Sequence, residues 1–250
     1  MDSMLQDLRF SARVLLRSPG FTLVAAITLA LGIGANASIF SLVDGLMFRS
    51  PAGIHEPDRL VQIARSYESA PRWDSFSWPA MELIRDEARA LSGVAAYSRS
   101  SFVIGRGAET RQVAGRFVSG DYFDVLGVQP VAGRLLQPAD DVNPGEHTVV
   151  VLSHSLWTSR FGADPSIVGT TIPIGAVPYE VVGVAPVGFS GPETVGTPPA
   201  IWVPGMQRPG RNGEVLFDQW GSSWLSVFGR MNDGVTFEQA EASMEVVSSR

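Results

Sequence analysis

The hydrophobic pattern divides the chain into two unequal parts. From Ser18 to Val43 no residue is charged, and the run SPGFTLVAAITLALGIGANASIFSLV is apolar on every face. About 20 apolar residues rising ~1.5 Å each cross the hydrocarbon core of a bilayer. A helix also satisfies its own backbone polar groups there. The pattern therefore predicts a transmembrane helix over 19–48, with Pro19 in the first turn, where its missing N–H costs nothing. Asn36 is the only strongly polar side chain in the run, and an amide is expensive in hydrocarbon. Ala26, Ala30, Gly34 and Ser38 recur every four residues. Such a ridge lets helix backbones approach closely, although Ala and Gly are common in any membrane helix.

Ahead of this run, Leu5, Leu8, Ala12, Leu15 and Leu16 fall at helical spacing, with Arg9, Arg13 and Arg17 on another stripe. Residues 1–17 are predicted to be an amphipathic helix on the cytoplasmic leaflet, turning at Ser18-Pro19-Gly20. The same arginines, against Asp44 and then Arg49 on the far side, place the N-terminus in the cytoplasm and the bulk of the chain across the membrane. A cleaved signal peptide competes, with Met1–Arg17 as its basic region and Ala35-Asn36-Ala37 as its cleavage site. The apolar stretch continues as SIFSLVDGLMF, past the length of a signal core, which favours the retained anchor.

Beyond Arg49 the apolar positions come in short runs. Leu60–Arg65, Val94–Ile104 and Thr110–Val118 read as strands, the last two joined by Gly105-Arg106-Gly107. Met81, Leu83, Ile84, Ala88 and Leu91 repeat at helical spacing behind Ser77 and Pro79, predicting a helix over 78–91. Gly120–Leu126 is a short helix, His147–Leu152 a buried strand, and Ser153–Phe161 a helix. Thr170–Ile174 and Tyr179–Val184 form a hairpin. Ile201–Val203 and Leu225–Arg230 are strands, and Thr236–Ser248 is a helix. The stretch Gly188–Gly213, rich in Gly and Pro, is predicted to be a long mobile loop around that short strand. The fold class is α+β.

Composition narrows the chemistry. The 250 residues carry a formal charge of −6, which argues against a nucleic-acid partner. All of that charge lies beyond residue 48, because the first 48 residues hold three Arg and three Asp. Cys is absent, excluding disulfides and thiol chemistry. All 19 basic residues of the Lys and Arg count are Arg. Without lysine there is no P-loop lysine and no Schiff base.

No catalytic, cofactor-binding or metal-binding set stands out, and no cofactor is expected. His55, His147 and His154 lack zinc-ligand spacing. The run Asp140-Asp141 to Glu146 suggests calcium only superficially, lacking EF-hand spacing. Neighbouring side chains such as Asp140 and Asp141 diverge in a loop. The sequence Gly188-Phe189-Ser190-Gly191 falls one residue short of a nucleophile elbow. Trp73, Trp78, Trp157, Trp202, Trp220 and Trp224 read as core anchors with a polar handle rather than a ligand cleft. The chemistry points away from an enzyme.

Several words of the sequence are specific. The opening, containing LRSPGFT and LALGIGANASIFS, resembles the first membrane segment of MacB-like permeases, especially the Acidobacteria-type members of the FtsX/MacB superfamily. GRFVSGDYFDVLGVQPVAGRLL, VVVLSHSLWTSRFGADPSIVGTTIPI, YEVVGVAP and FGRMNDGVTFEQAEASM are similar to blocks of the MacB-like periplasmic core domain. Many relatives have a leucine- and proline-rich segment where this chain has MFRSPAGIHEPDRL. The resemblance implies a periplasmic domain over 55–250 in two lobes. A porter-like βαβ lobe would hold about 60–118 and 223–250, with a strand-rich lobe over about 121–215 inserted in it. Because relatives follow the last helix with another strand and more membrane helices, the resemblance also implies a C-terminally truncated chain. It implies a non-ATPase permease subunit in the bacterial inner membrane, working in efflux or export. The implied partners are a cytoplasmic ABC ATPase, the lipid bilayer, a second permease copy, and a periplasmic adaptor or cargo. An FtsX-like regulator of cell-wall hydrolases, a LolC- or LolE-like lipoprotein-handling subunit, and a secreted enzyme are the alternatives.

Overall fold

A computed structural model describes residues 17–47, 52–67, 70–193, 196–209 and 217–248. The amphipathic helix expected over 1–17 lies outside the described residues except for Arg17. The chain divides into two units, residues 1–49 and 50–250.

The first unit contains helix α1, Pro19–Met47. Its window Pro19–Ser38 has a mean hydropathy of 1.7, and none of it is buried within the structure. Phe21, Leu23, Val24, Leu29, Leu31 and Ile33 are each at least 63% exposed. In water that much bare apolar surface would be strongly unfavourable; in lipid it is solvated. The hydroxyls of Thr22, Thr28 and Ser38 donate to the carbonyls of Ser18, Val24 and Gly34 at 3.0, 2.9 and 2.8 Å. That back-bonding lets hydroxyls sit on a helix with no water to bind.

The second unit is a sheet with three cores. Its strands are β1 Leu60–Ile63, β4 Leu91–Ile104, β5 Arg111–Val118, β6 Ala132–Gly133, β7 Val149–Leu152, β8 Thr171–Ile174, β9 Val177–Val184, β10 Ile201–Pro204 and β11 Ser226–Met231. They run in the order β1-β11-β4-β5-β10-β7-β9-β6, with β8 pairing both β9 and β4. A separate hairpin joins β2 Arg65–Tyr67 to β3 Ala70–Trp73. Neither β3 nor β6 was legible in the hydrophobic pattern, being short and carrying proline or glycine.

The pairing of β8 with β4 closes a ring. Ile104 pairs with Ile174, the Gly105 amide donates to the Pro173 carbonyl at 3.2 Å, and the Gly175 amide donates to Val103 at 2.7 Å. Strands β4, β5, β10, β7, β9 and β8 thus form a small barrel. Its interior holds Phe102, Ile104, Phe117, Val150, Leu152, Ile172, Ile174, Val181, Ile201 and Val203. These positions alternate along each strand, as an inward face must. The run Val149–Leu152 is buried at all four residues, because Val150 and Leu152 face the ring while Val149 and Val151 face a second core outside it.

The open end of the sheet is covered by two helices, α2 Trp78–Glu87 and α5 Phe237–Ser248. Trp78, Met81, Ile84, Val94, Ala96, Val227 and Val247 meet there. Helix α2 stops at Glu87, short of the expected Leu91. The Leu91 amide bonds the Ala88 carbonyl to make a turn, and Leu91 opens β4 opposite Met231. The apolar repeat ran straight through that turn, so periodicity alone could not place the end. Helices α3 Tyr122–Leu126 and α4 His154–Phe161 fall close to expectation. Ser153 caps α4, accepting from Leu156 N at 3.1 Å.

Strand β4 serves both regions. Its Leu91–Tyr97 stretch pairs with β11 and its Tyr97–Ile104 stretch with β5. Strands β4 and β5 supply two of the six strands of the ring, and β7 to β10 the other four. The segment Gly188–Gly213, expected to be a mobile loop, threads its buried β10 through the sheet centre, between β5 and β7. Pro204 fits at the end of β10 because the ladder to β7 has already stopped at Trp202.

Candidate functional site

Arg99 and Arg116 are register partners on β4 and β5. Two like charges opposed across strands repel, so this pair needs a counter-charge. Glu193 supplies it from the segment after β9. Its carboxylate accepts from Arg99 Nη2 at 2.7 Å and from Arg99 Nε at 3.0 Å. Arg116 Nη2 approaches the other oxygen, Oε2, at 2.6 Å, and the Tyr97 hydroxyl donates at 2.6 Å to Oε1, the oxygen that Arg99 also binds. The Arg116 guanidinium also lies over the Tyr97 ring, 5.2 Å from its centroid. Burial first, and then the Glu193 carboxylate, push the Tyr97 phenol above its ordinary value, so it remains a donor.

The Glu193 segment is anchored from within. Phe189 packs 5.7 Å from Phe123 and 5.2 Å from Trp202, ring to ring. Gly191 then turns at φ 97°, where a Cβ would overlap the Tyr122 hydroxyl; only glycine fits. Beside the clamp opens a cleft of about 720 Å³ lined by Gln62, Tyr97, Arg99, Glu193, Ser226 and Phe228 among others. Both Glu193 oxygens are already engaged by donors. The arrangement can hold a segment in place; it offers no free base or nucleophile.

A second junction lies where β5 and β10 end. Asp141 accepts from the backbone amides of Gly120 at 3.0 Å and Met206 at 2.7 Å. Burial pushes its carboxyl up to about 7, with those two amides opposing the rise. Asp140 turns the other way, to Arg134 at 2.6 and 2.8 Å. Burial works to raise its pKa, but Arg134 and the Gln137 amide outweigh it and hold Asp140 below the usual carboxylate range. The adjacent aspartates thus diverge, as expected of a loop.

The remaining sequence candidates are dispersed. His55 precedes β1 beside Gly127, His147 precedes β7, and His154 packs on Trp157 in α4 at 5.5 Å. Among the described residues no three His, Asp or Glu side chains group to hold a metal. Ser190 lies between buried Phe189 and Gly191, and among the described residues no histidine or carboxylate is bonded to it. Trp78, Trp157 and Trp202 are core residues. The indoles of Trp78 and Trp157 donate to Glu82 and to the Asp164 carbonyl at 3.1 and 2.9 Å. Trp224 stacks on Trp78 at 6.0 Å, Trp220 is 61% exposed, and the Trp73 side chain lies outside the described residues. The clamp residues Tyr97, Arg99, Arg116 and Glu193 were not foreseen. The available signal was Arg116, which interrupts the apolar half of β5.

The MacB-like periplasmic core domain matches residues 22–247, from within α1 to the end of α5. The chain belongs to this family. Among solved structures, it is similar to the periplasmic region of MacB from Actinobacillus actinomycetemcomitans, at 19% identity and a TM-score of 0.58, covering 82% of this chain and 88% of that one. It is also similar to the extracellular domain of the noncanonic ABC-type transporter YknZ from Gram-positive bacteria. There the identity is 17% and the TM-score 0.51, over 74% of this chain and 88% of that one. No curated protein sequence gives a significant match. At these identities the two likenesses show the MacB-type fold, with its mixed sheet and helices, and nothing about cargo.

Proposed function

We propose that this chain is the permease subunit of a MacB-type ABC transporter, which couples a separate cytoplasmic ATPase to movement of a periplasmic domain for efflux or export. The observation that carries this reading is the single family match across residues 22–247, joining a membrane-length apolar helix to the sheet body. These 250 residues contain no lysine and so no P-loop lysine, which is compatible with the ABC ATPase partner that the family implies. In this reading α1 sits in the inner membrane with its N-terminus in the cytoplasm, residues after about 48 are periplasmic, and a second permease copy packs alongside. With the porter-like lobe over about 60–118 and 223–250 and the inserted lobe over about 121–215, the two would meet where β5 pairs with β10 and β4 with β8.

Protease treatment of spheroplasts and of inverted vesicles tests the arrangement. Cleavage of the body in spheroplasts and its protection in inverted vesicles are expected; the reverse would refute it. Co-purification with an ABC ATPase whose turnover rises with the chain present tests the coupling. A partner that proves to be a cell-wall hydrolase would move the assignment to an FtsX-like regulator, and one that proves to be a lipoprotein to a LolC- or LolE-like subunit.

A further inference from the structure

A second cleft lies at the far end of the barrel, away from the clamp. It has a volume of about 1100 Å³ and is walled by the β4–β5 turn, by α4 and by the β8–β9 hairpin. Its charged lining residues are Arg106, Arg111, Arg160 and Glu109. That is three positive charges against one, in a protein whose formal charge is −6. None of the three arginines has a carboxylate within salt-bridge distance among the described residues, whereas Arg59, Arg85, Arg99, Arg116 and Arg134 each do.

Arg160 is held in place without being neutralised. Its Nη2 donates to the backbone carbonyl of Glu109 at 2.9 Å, so it bridges from α4 to the β4–β5 turn while keeping its full charge. Gly105 makes room for it. A Cβ there would lie 2.6 Å from Arg160 Nη2, and the residue turns at φ 100°. The floor between the arginines is apolar, with Val113, Leu156 and Phe161 half-buried. A cleft of this volume exceeds the usual small-molecule pocket of about 300–1,000 Å³. At the opposite end of β4, Leu60 pairs with Arg230 and Arg230 with Gly93. The 14 residues of β4 separate the two ends by about 43 Å.

We propose that this cleft is a docking site for an acidic, partly apolar polypeptide segment of a protein partner. The three arginines receive its carboxylates and the Val113–Leu156–Phe161 floor receives its apolar side chains. Fixed, uncompensated arginines steer and orient such a segment. This goes beyond the permease reading and does not depend on it.

The test uses the full chain in detergent micelles and a fluorescent peptide of repeating Glu-Glu-Leu. Anisotropy should report saturable binding that weakens with added salt. The variant R106E/R111E, both residues being exposed, should bind at least about tenfold more weakly and recover toward a repeating Arg-Arg-Leu peptide. R160Q should weaken binding while leaving thermal unfolding near that of the parent. Equal affinity of R106E/R111E and parent for the acidic peptide would overturn the proposal. So would displacement of the peptide by millimolar inorganic phosphate or by anionic phosphatidylglycerol vesicles, which would make the occupant a small anion or a lipid headgroup.

Discussion

Arg116 Nη2 lies 2.6 Å from Glu193 Oε2, with the two side chains 5% and 14% exposed. This pair is out of water, unlike the neighbouring Arg99, whose side chain is 67% exposed. Removing one partner of a buried pair strands the other charge, at a cost of about 3–5 kcal/mol. Glu193→Ala should therefore destabilise the chain by about 3 kcal/mol in denaturant unfolding followed by tryptophan fluorescence. Arg99→Ala should cost less than about 1 kcal/mol, because an exposed pair contributes little. Equal costs would mean that burial does not set the strength of the clamp.

Asp141 should make stability fall as pH rises. Its folded pKa of about 7 stands above the ordinary unfolded value of about 3.9. Between those values the folded state binds the extra proton, so unfolding is opposed most at low pH and the advantage is lost through neutrality. The expected effect is at most a few kcal/mol. The slope of Tm against pH between 4.5 and 7.5, on the order of the window just given, should flatten in Asp141→Asn. An unchanged slope would assign the titration to another group.

Gly183 faces a carbonyl rather than solvent. A methyl group there would overlap the Arg134 carbonyl oxygen and come within 2.8 Å of that of Ala132. Gly183→Ala should therefore separate β6 from β9 and cost about 3 kcal/mol or more, as overpacking does. Gly221→Ala, with nothing within 4 Å, is the control and should be near neutral. Thermal unfolding of the two variants side by side reads the difference.

Leu29 lies within the membrane-length window of α1 and is 64% exposed. Leu29→Arg should weaken membrane integration, since arginine at the centre of a spanning helix costs about 2.5–3.5 kcal/mol. Carbonate extraction should then shift part of the chain from the pellet to the supernatant. A wild-type-like pellet fraction would show that α1 is not held by its apolar surface.

Much of this architecture was legible before any coordinates, and the reasons are particular. Val150 and Leu152 alternate with Val149 and Val151 in a run too apolar to be anything but a central strand. Ser153 is followed by a helical repeat, and α1 needs only its length. What escaped was whatever depends on partners distant in sequence. The curl that brings Ile174 to Ile104 leaves no mark in either strand. Helix α2 ends at a turn that the repeat of Ala88 and Leu91 conceals. The clamp escaped because Glu193 sits among glycines and prolines, where acidic residues are ordinarily solvated. Only Arg116, in the apolar half of β5, hinted that a counter-charge must come from elsewhere.

Strand β4 runs unbroken from Leu91 to Ile104, stitched at one end beneath the two covering helices and at the other into the closed ring. One paired backbone therefore belongs to both regions: Tyr97 stands in the ladder to β11 and in the ladder to β5 at once, so the residues packed under α2 and those lining the ring cannot be separated without cutting a single strand.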